Sequence, residues 1–153
     1  ISRDEIKEGL VNTLKNSEIL FEADLNGDVY NTFFETIEFL LRKNITLVSE
    51  AAFQHKLWTP KLNSLKKIAQ IKLICCSVNS QLAKSRFIQR GLEDPERAYF
   101  HDDWSIQKTK EGTDPLNSSY EPPKLSVPTL IVDTSENYQP IFEEIVAFVN
   151  DPV

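Results

Sequence analysis

Methionine is missing from all 153 residues, and the chain begins at Ile1. Reading frames start at Met, so a segment is expected upstream of Ile1. Glycine is scarce, at 4, beside 8 prolines, which excludes a collagen-like or low-complexity chain. Only two cysteines occur, the neighbours Cys75 and Cys76 in the apolar run IKLICCSV. Adjacent strand residues point to opposite faces, so a disulfide framework is excluded and a reducing, cytoplasmic setting is expected. Two sequons, Asn44-Ile45-Thr46 and Asn117-Ser118-Ser119, read as chance matches without a signal peptide. No apolar run approaches the ~20 residues that span a bilayer, so no membrane partner is expected. Positive charge is in deficit: 17 Lys and Arg face 23 Asp and Glu, a net charge of −6. That balance disfavours polymeric nucleic acid and anionic membrane as partners. Histidine is limited to His55 and His101, so His101-Asp102-Asp103 does not read as a dedicated zinc site, and no metal ligands are assigned.

What is present is ordinary globular composition, 41% hydrophobic and 26% charged, enough for one domain over residues 1–153 with a real core. Ile6, Leu10, Val11 and Leu14 at helical spacing predict a helix over 4–16. Val29, Phe33, Phe34, Ile37, Leu40 and Leu41 predict a strong amphipathic helix over 27–43, ended by Lys43-Asn44. ITLVSEA at 45–51 and IKLICCS at 71–77 read as buried strands, and TLIVDTS at 129–135 as a third. Thr59-Pro60 predicts a helix over 59–69 with Pro at its first position. Asn79 or Ser80 caps a basic helix over 80–90 that Gly91 stops. Residues 139–149 predict a closing helix with Ile141, Ile145, Val146 and Phe148 on or near its buried stripe. Residues 91–124 read as a long loop, a lid or a disordered segment. The alternation implies an α/β fold, a mostly parallel sheet with helices on both faces. Three strands are few for this much helix, and a further strand is expected upstream. No internal repeat is visible.

The opening ISRDEIKEGL resembles the segment after the phosphate-binding helix in small P-loop kinases. Those are the polynucleotide kinase-like, chloramphenicol phosphotransferase-like and zeta toxin-like proteins and the AAA-type small ATP-binding kinases. There a strand ends in Ser or Asn, a basic residue follows, and an aspartate opens a helix. The counterparts here are Ser2, Arg3 and Asp4. In the same order, LVSEAAF at 47–53 resembles the strand whose acidic end faces the substrate. LAKSRFIQRGLEDPERAYFH at 82–101 resembles the arginine-bearing lid helix, and PTLIVDTSENYQPIFEEIVAFV at 128–149 the final strand and helix. The resemblance spans nearly the whole chain and implies a P-loop NTPase-type three-layer sheet. The departure is equally clear: G-x-x-x-x-G-K-[ST], whose amides and lysine hold phosphates and whose hydroxyl holds Mg²⁺, does not occur. The sheet is thus expected to lack its first strand and phosphate-binding loop within these residues.

The resemblance implies an ATP-dependent phosphotransferase that takes a nucleotide and acts on a hydroxyl of a small-molecule acceptor or a nucleic-acid end, with ATP and Mg²⁺ as cofactors. Asp4 would orient the acceptor hydroxyl and accept its proton; on spacing alone it is a helix cap. Arg3 and Lys7 flank it and would hold an acidic group of the substrate, or stay solvated. Glu50, at a strand end, would order Mg²⁺ through water or meet the acceptor; its plain reading is a solvated charge. Phe53, with His55 and Trp58, would line an acceptor pocket or simply pack. Arg86 and Arg90, four apart on one helix face, would neutralise the transferring phosphoryl group, or form a basic solvated face. Arg97 would be a third lid contact. Asp133 would lie near the adenine edge, with Tyr138 and Pro140 flanking the base. Two other readings stand beside this one: a P-loop remnant that binds a partner without catalysis, and a regulatory NTPase.

Overall fold

The residues at 29, 33, 34 and 37 fall on one stripe of an α-helix, and burying that stripe organises the described residues before 70. The computed structural model describes residues 1–15, 25–93 and 121–152. Contacts separate them into two units, Ile1–Ala69 and Gln70–Val153, each built around its own elements.

In the first unit, α1 spans Arg3–Lys15 and α2 spans Leu25–Arg42. Val29, Phe33, Phe34 and Ile37 of α2 are all buried. Asn44 ends α2 in the left-handed conformation, at φ 59°. Ile45 N–H donates to the Leu40 carbonyl at 3.1 Å and Asn44 N–H to Leu41 at 2.9 Å, the paired closing bonds of a Schellman turn. A third helix, α3, spans His55–Leu65 and buries Trp58, Leu62 and Leu65, one turn or two apart. It begins four residues before the expected start, and Pro60 lies inside it rather than at its first position. The preceding turn is already helical, since Trp58 N–H donates to the Gln54 carbonyl at 3.0 Å. Trp58 is the centre of an aromatic cluster. Its ring centroid lies 5.1 Å from Tyr30, 5.9 Å from Phe33, 5.4 Å from Phe34 and 5.1 Å from Phe53. Most of these pairs meet edge to face, the arrangement that the ring quadrupoles favour.

The expected buried strand over 45–51 is corrected. Its ladder amounts to one parallel bridge, Ser2 to Glu50, with Glu50 N–H donating to Ile1 (2.9 Å) and Arg3 N–H to Glu50 (3.1 Å). Val48 is 77% exposed. An apolar, branched sequence favours extended backbone, but burial requires a covering element, and the described residues supply none over Val48.

In the second unit, β1 (Leu73–Ser77) and β2 (Thr129–Asp133) run parallel in continuous register from Leu73 opposite Thr129 to Ser77 opposite Asp133. Val132 is the fully buried side chain of this sheet. The expectation of a buried β1 is also corrected: Ile74 and Cys76 on one face are exposed, and Ile131 of β2 is 66% exposed. Helix α4 spans Ser80–Glu93. Asn79 caps it, its Oδ1 accepting from Gln81 N–H at 2.9 Å and Leu82 N–H at 3.4 Å. Gly91 does not stop α4, which runs on to Glu93; one helical glycine costs only about 1 kcal/mol. Helix α5 spans Phe142–Asn150, and none of its residues is fully buried. Lys72 Nζ holds its end, donating to the carbonyls of Phe148 (2.6 Å), Val149 (3.1 Å) and Asp151. A cation there meets the last unpaired carbonyls and the negative end of the helix dipole.

The fold is mixed α/β with a small parallel sheet. Of the expected lid over 91–124, residues 91–93 belong to α4 and 121–124 carry no helix or strand; 94–120 lie outside the described residues. No described helix is long and apolar enough to cross a membrane.

Candidate functional site

Parallel strands deliver the residues after their carboxyl ends to one rim, and in open α/β sheets that rim carries ligands. Here β1 ends at Ser77 and β2 at Asp133, side by side. The chain leaving β2 forms a closed loop. Asp133 and Gln139 exchange both backbone hydrogen bonds, at 2.8 and 3.0 Å, and pinch the loop shut at its base. Thr134 ties it to β1, its N–H and Oγ1 both donating to the Ser77 carbonyl at 2.8 and 3.0 Å. Ser135 N–H donates to Asp133 Oδ1 at 2.8 Å. The hydrogen bonds from Ser135 hold the Asp133 carboxyl below the usual carboxylate range.

Arg86 reaches this loop from α4. Its Nη1 donates to the Thr134 carbonyl and its Nη2 to the Ser135 carbonyl, both at 2.7 Å. An open cavity of about 490 Å³ lies against the same loop, lined by Arg86, Thr134, Glu136, Tyr138, Ile141 and Phe142 among others. Tyr138 is 54% and Phe142 61% exposed, so large rings border it without being buried. A second open cavity of about 610 Å³ runs along α4, bordered by Cys76, Arg86, Gln89, Arg90 and Thr134. Arg90 is exposed, and its Nε donates to the Arg86 carbonyl at 3.2 Å. The two arginines expected on one face of α4 do share a cavity, but their guanidinium groups are differently employed. Burial pushes the Cys75 thiol pKa up, and the adjacent Cys76 adds to it.

The other predicted residues lie in the first unit. The Ser2–Glu50 bridge brings Glu50 beside Ser2 and the start of α1, where Arg3 and Asp4 stand. Ser2 Oγ donates to Glu50 Oε2 at 2.9 Å. Arg3 Nη1 lies 3.6 Å from Asp4 Oδ1, and the guanidinium sits 6.0 Å from the Trp58 ring centroid, a cation over an aromatic face. The buried Nε of Arg3 has no hydrogen-bond partner. Lys7 stands one turn beyond Asp4 on α1, half-buried. Phe53 packs on Phe33 and Trp58, joining the aromatic core. His55 Nδ1 pairs with Thr59 Oγ1 at 2.9 Å inside α3. Arg97, His101, Asp102 and Asp103 lie outside the described residues. Among the described residues, no three His, Cys, Asp or Glu side chains come together to hold a metal ion.

Sequence reasoning passed over Thr134, Ser135 and Phe142. The signal available was the polar run Thr134-Ser135-Glu136-Asn137 directly after an apolar strand, where a loop at the ligand rim would start.

No protein-family model matches the chain, and no curated protein matches it. Among solved structures, the chain is similar to a protein of Chloroflexus aurantiacus described as a "putative kinase". The TM-score is 0.68 at 21% identity, covering 97% of this chain and 77% of that one. At that identity the likeness is one of fold, and it extends over nearly every residue described above.

Proposed function

We propose that the protein is an ATP-dependent phosphotransferase of the P-loop kinase type, acting on a hydroxyl of a small molecule or a nucleic-acid end. The observation that carries this reading is the cavity beyond the carboxyl end of β2, on a fold similar to that of a protein described as a kinase. Its exposed Tyr138 and Phe142 rings suit a planar base, and the nearby Asp133 carboxylate suits hydrogen-bond donors on base or ribose. The phosphates would be held by a G-x-x-x-x-G-K-[ST] segment, which the 153 residues do not contain.

In this reading Asp4 orients the acceptor hydroxyl and takes its proton as the new O–P bond forms and ADP leaves. Its carboxylate is accessible, and Arg3 beside it limits its orientation. Glu50 is exposed and offers one carboxylate, which fits Mg²⁺, an ion usually held by one or two carboxylates together with substrate phosphates. When bound, Mg²⁺ neutralises charge on the phosphates. The cationic side chains of α4 would offset the charge spread over the transferring group.

The test is an acceptor screen on the full-length protein, following ADP release and acceptor phosphorylation together. Acceptor-dependent transfer is expected, with Asp4→Asn lowering it about 10²- to 10⁴-fold, the span of a lost general base. ADP release that ignores every acceptor would favour a regulatory NTPase. A second reading is a module that binds without catalysis, and failure of the full-length protein to bind any nucleotide would support it.

A further inference from the structure

The two arginines of α4 are equivalent in sequence but not in the structure. Both Nη groups of Arg86 are bonded at 2.7 Å to the consecutive carbonyls of Thr134 and Ser135. That uses the end of the guanidinium fork, an edge that would otherwise chelate two oxygens of a phosphoryl group. The partners are 48 and 49 residues away in sequence, so the contact joins α4 to the loop after β2. Arg90 makes one bond within its own helix and is otherwise exposed.

The loop needs such a contact. Residues 136–139 are exposed, so packing does little to fix them. Its shape rests on hydrogen bonds: the Asp133–Gln139 pair at the base, Thr134 to Ser77, Ser135 to Asp133, and the Arg86 fork. The first three tie the loop to itself and to β1. The fork ties it to α4, and Arg86, Thr134 and Tyr138 border the same cavity. A charged donor on each carbonyl is among the stronger bonds a loop can have.

We propose that Arg86 is a positioning residue, the latch that holds loop 134–138 against α4 and so sets the wall of the nucleoside cavity, leaving Arg90 to meet the phosphoryl group. The nucleoside part of this rests on the kinase reading; the latch does not.

The experiment compares Arg86→Ala, Arg86→Lys and Arg90→Ala in the full-length protein. Hydrogen exchange at the amides of Thr134, Ser135 and Gln139 reads the latch without any ligand. Arg86→Ala should speed exchange there about tenfold, the order expected for losing charge-assisted bonds. Arg86→Lys should restore it only in part, because an ammonium lacks the planar fork. Arg90→Ala should leave it unchanged. Unaltered exchange in Arg86→Ala overturns the latch. Titration with adenosine, which has no phosphate, then reads the cavity. Arg86→Ala should weaken adenosine binding about tenfold while Arg90→Ala does not. In turnover, Arg86→Ala should raise KM for ATP, and Arg90→Ala should lower kcat. The opposite pattern, with Arg86→Ala lowering kcat at unchanged adenosine affinity, returns Arg86 to the transition state and overturns the proposal. If the wild-type protein binds neither adenosine nor ATP, the kinase reading fails, and the exchange data still decide the latch.

Discussion

The two halves of this molecule are held by different forces. Residues 1–69 close around interlocking rings, with Trp58 touching four other aromatic side chains and Val29 and Phe33 fully buried. Among the described residues of the second unit, Val132 is fully buried, but Ile74, Ile131, Phe142 and Val146 are exposed. There, polar tethers hold the elements: Lys72 on the end of α5, Asn79 on the start of α4, Thr134 and Arg86 on the loop after β2. Packing is cumulative and non-directional, so it makes a stable block. Directed hydrogen bonds fix particular geometries, and the residues of the proposed nucleoside cavity depend on them.

The largest effect should follow from breaking the packed half at its centre. Trp58→Ala is expected to cost about 3–5 kcal/mol, measured by denaturant unfolding, since it deletes the ring shared by four partners. A loss under about 1 kcal/mol would mean that the cluster collapses to refill the space. Val132→Ala should cost about 2 kcal/mol, the transfer of two methyl groups plus a small cavity, and should read out in the exchange of the β1–β2 amides. Lys72→Met, which keeps most of the stem, should cost about 1 kcal/mol and fray the last turn of α5, seen as faster exchange at Asp151 N–H.

The smallest effect concerns pH. The carboxyl of Asp133 has its folded-state pKa lowered by Ser135. A lowered folded pKa adds stability above the unfolded value of about 3.9, and this is lost as pH falls through the folded value. Asp133→Asn should therefore be slightly less stable than the wild type at neutral pH and converge with it in acid, which flattens the stability profile below about pH 4. A steeper acid limb in the variant would reverse that sign and remove Asp133 from the loop's account.

Much of the local architecture was legible in the residues. The stripe of α2, the Asn44 stop and the Asn79 cap all depend on contacts within a few positions, and they fall where the pattern predicts. The start of α3 did not, because Pro60 at its sixth residue broke the rule that proline opens helices. Strand 45–51 was overread, because alternating or continuous apolar residues report a tendency to extend and not the presence of a neighbour to pair with. In the candidate site, the spacing of Arg86 and Arg90 predicted a shared face, and they do border one cavity. That one of them would be tied to carbonyls 48 residues away was not in the spacing.

The sequence by itself determined the main helices, strands β1 and β2, the Asn44 stop, the Asn79 cap and the placement of charge, because each arises from neighbours along the chain. Only the tertiary structure decided which apolar runs became covered, which arginine was committed to the loop, and where the cavities opened. Those outcomes depend on partners far apart in sequence, whose meeting is set by packing and by the geometry of a few long-range hydrogen bonds.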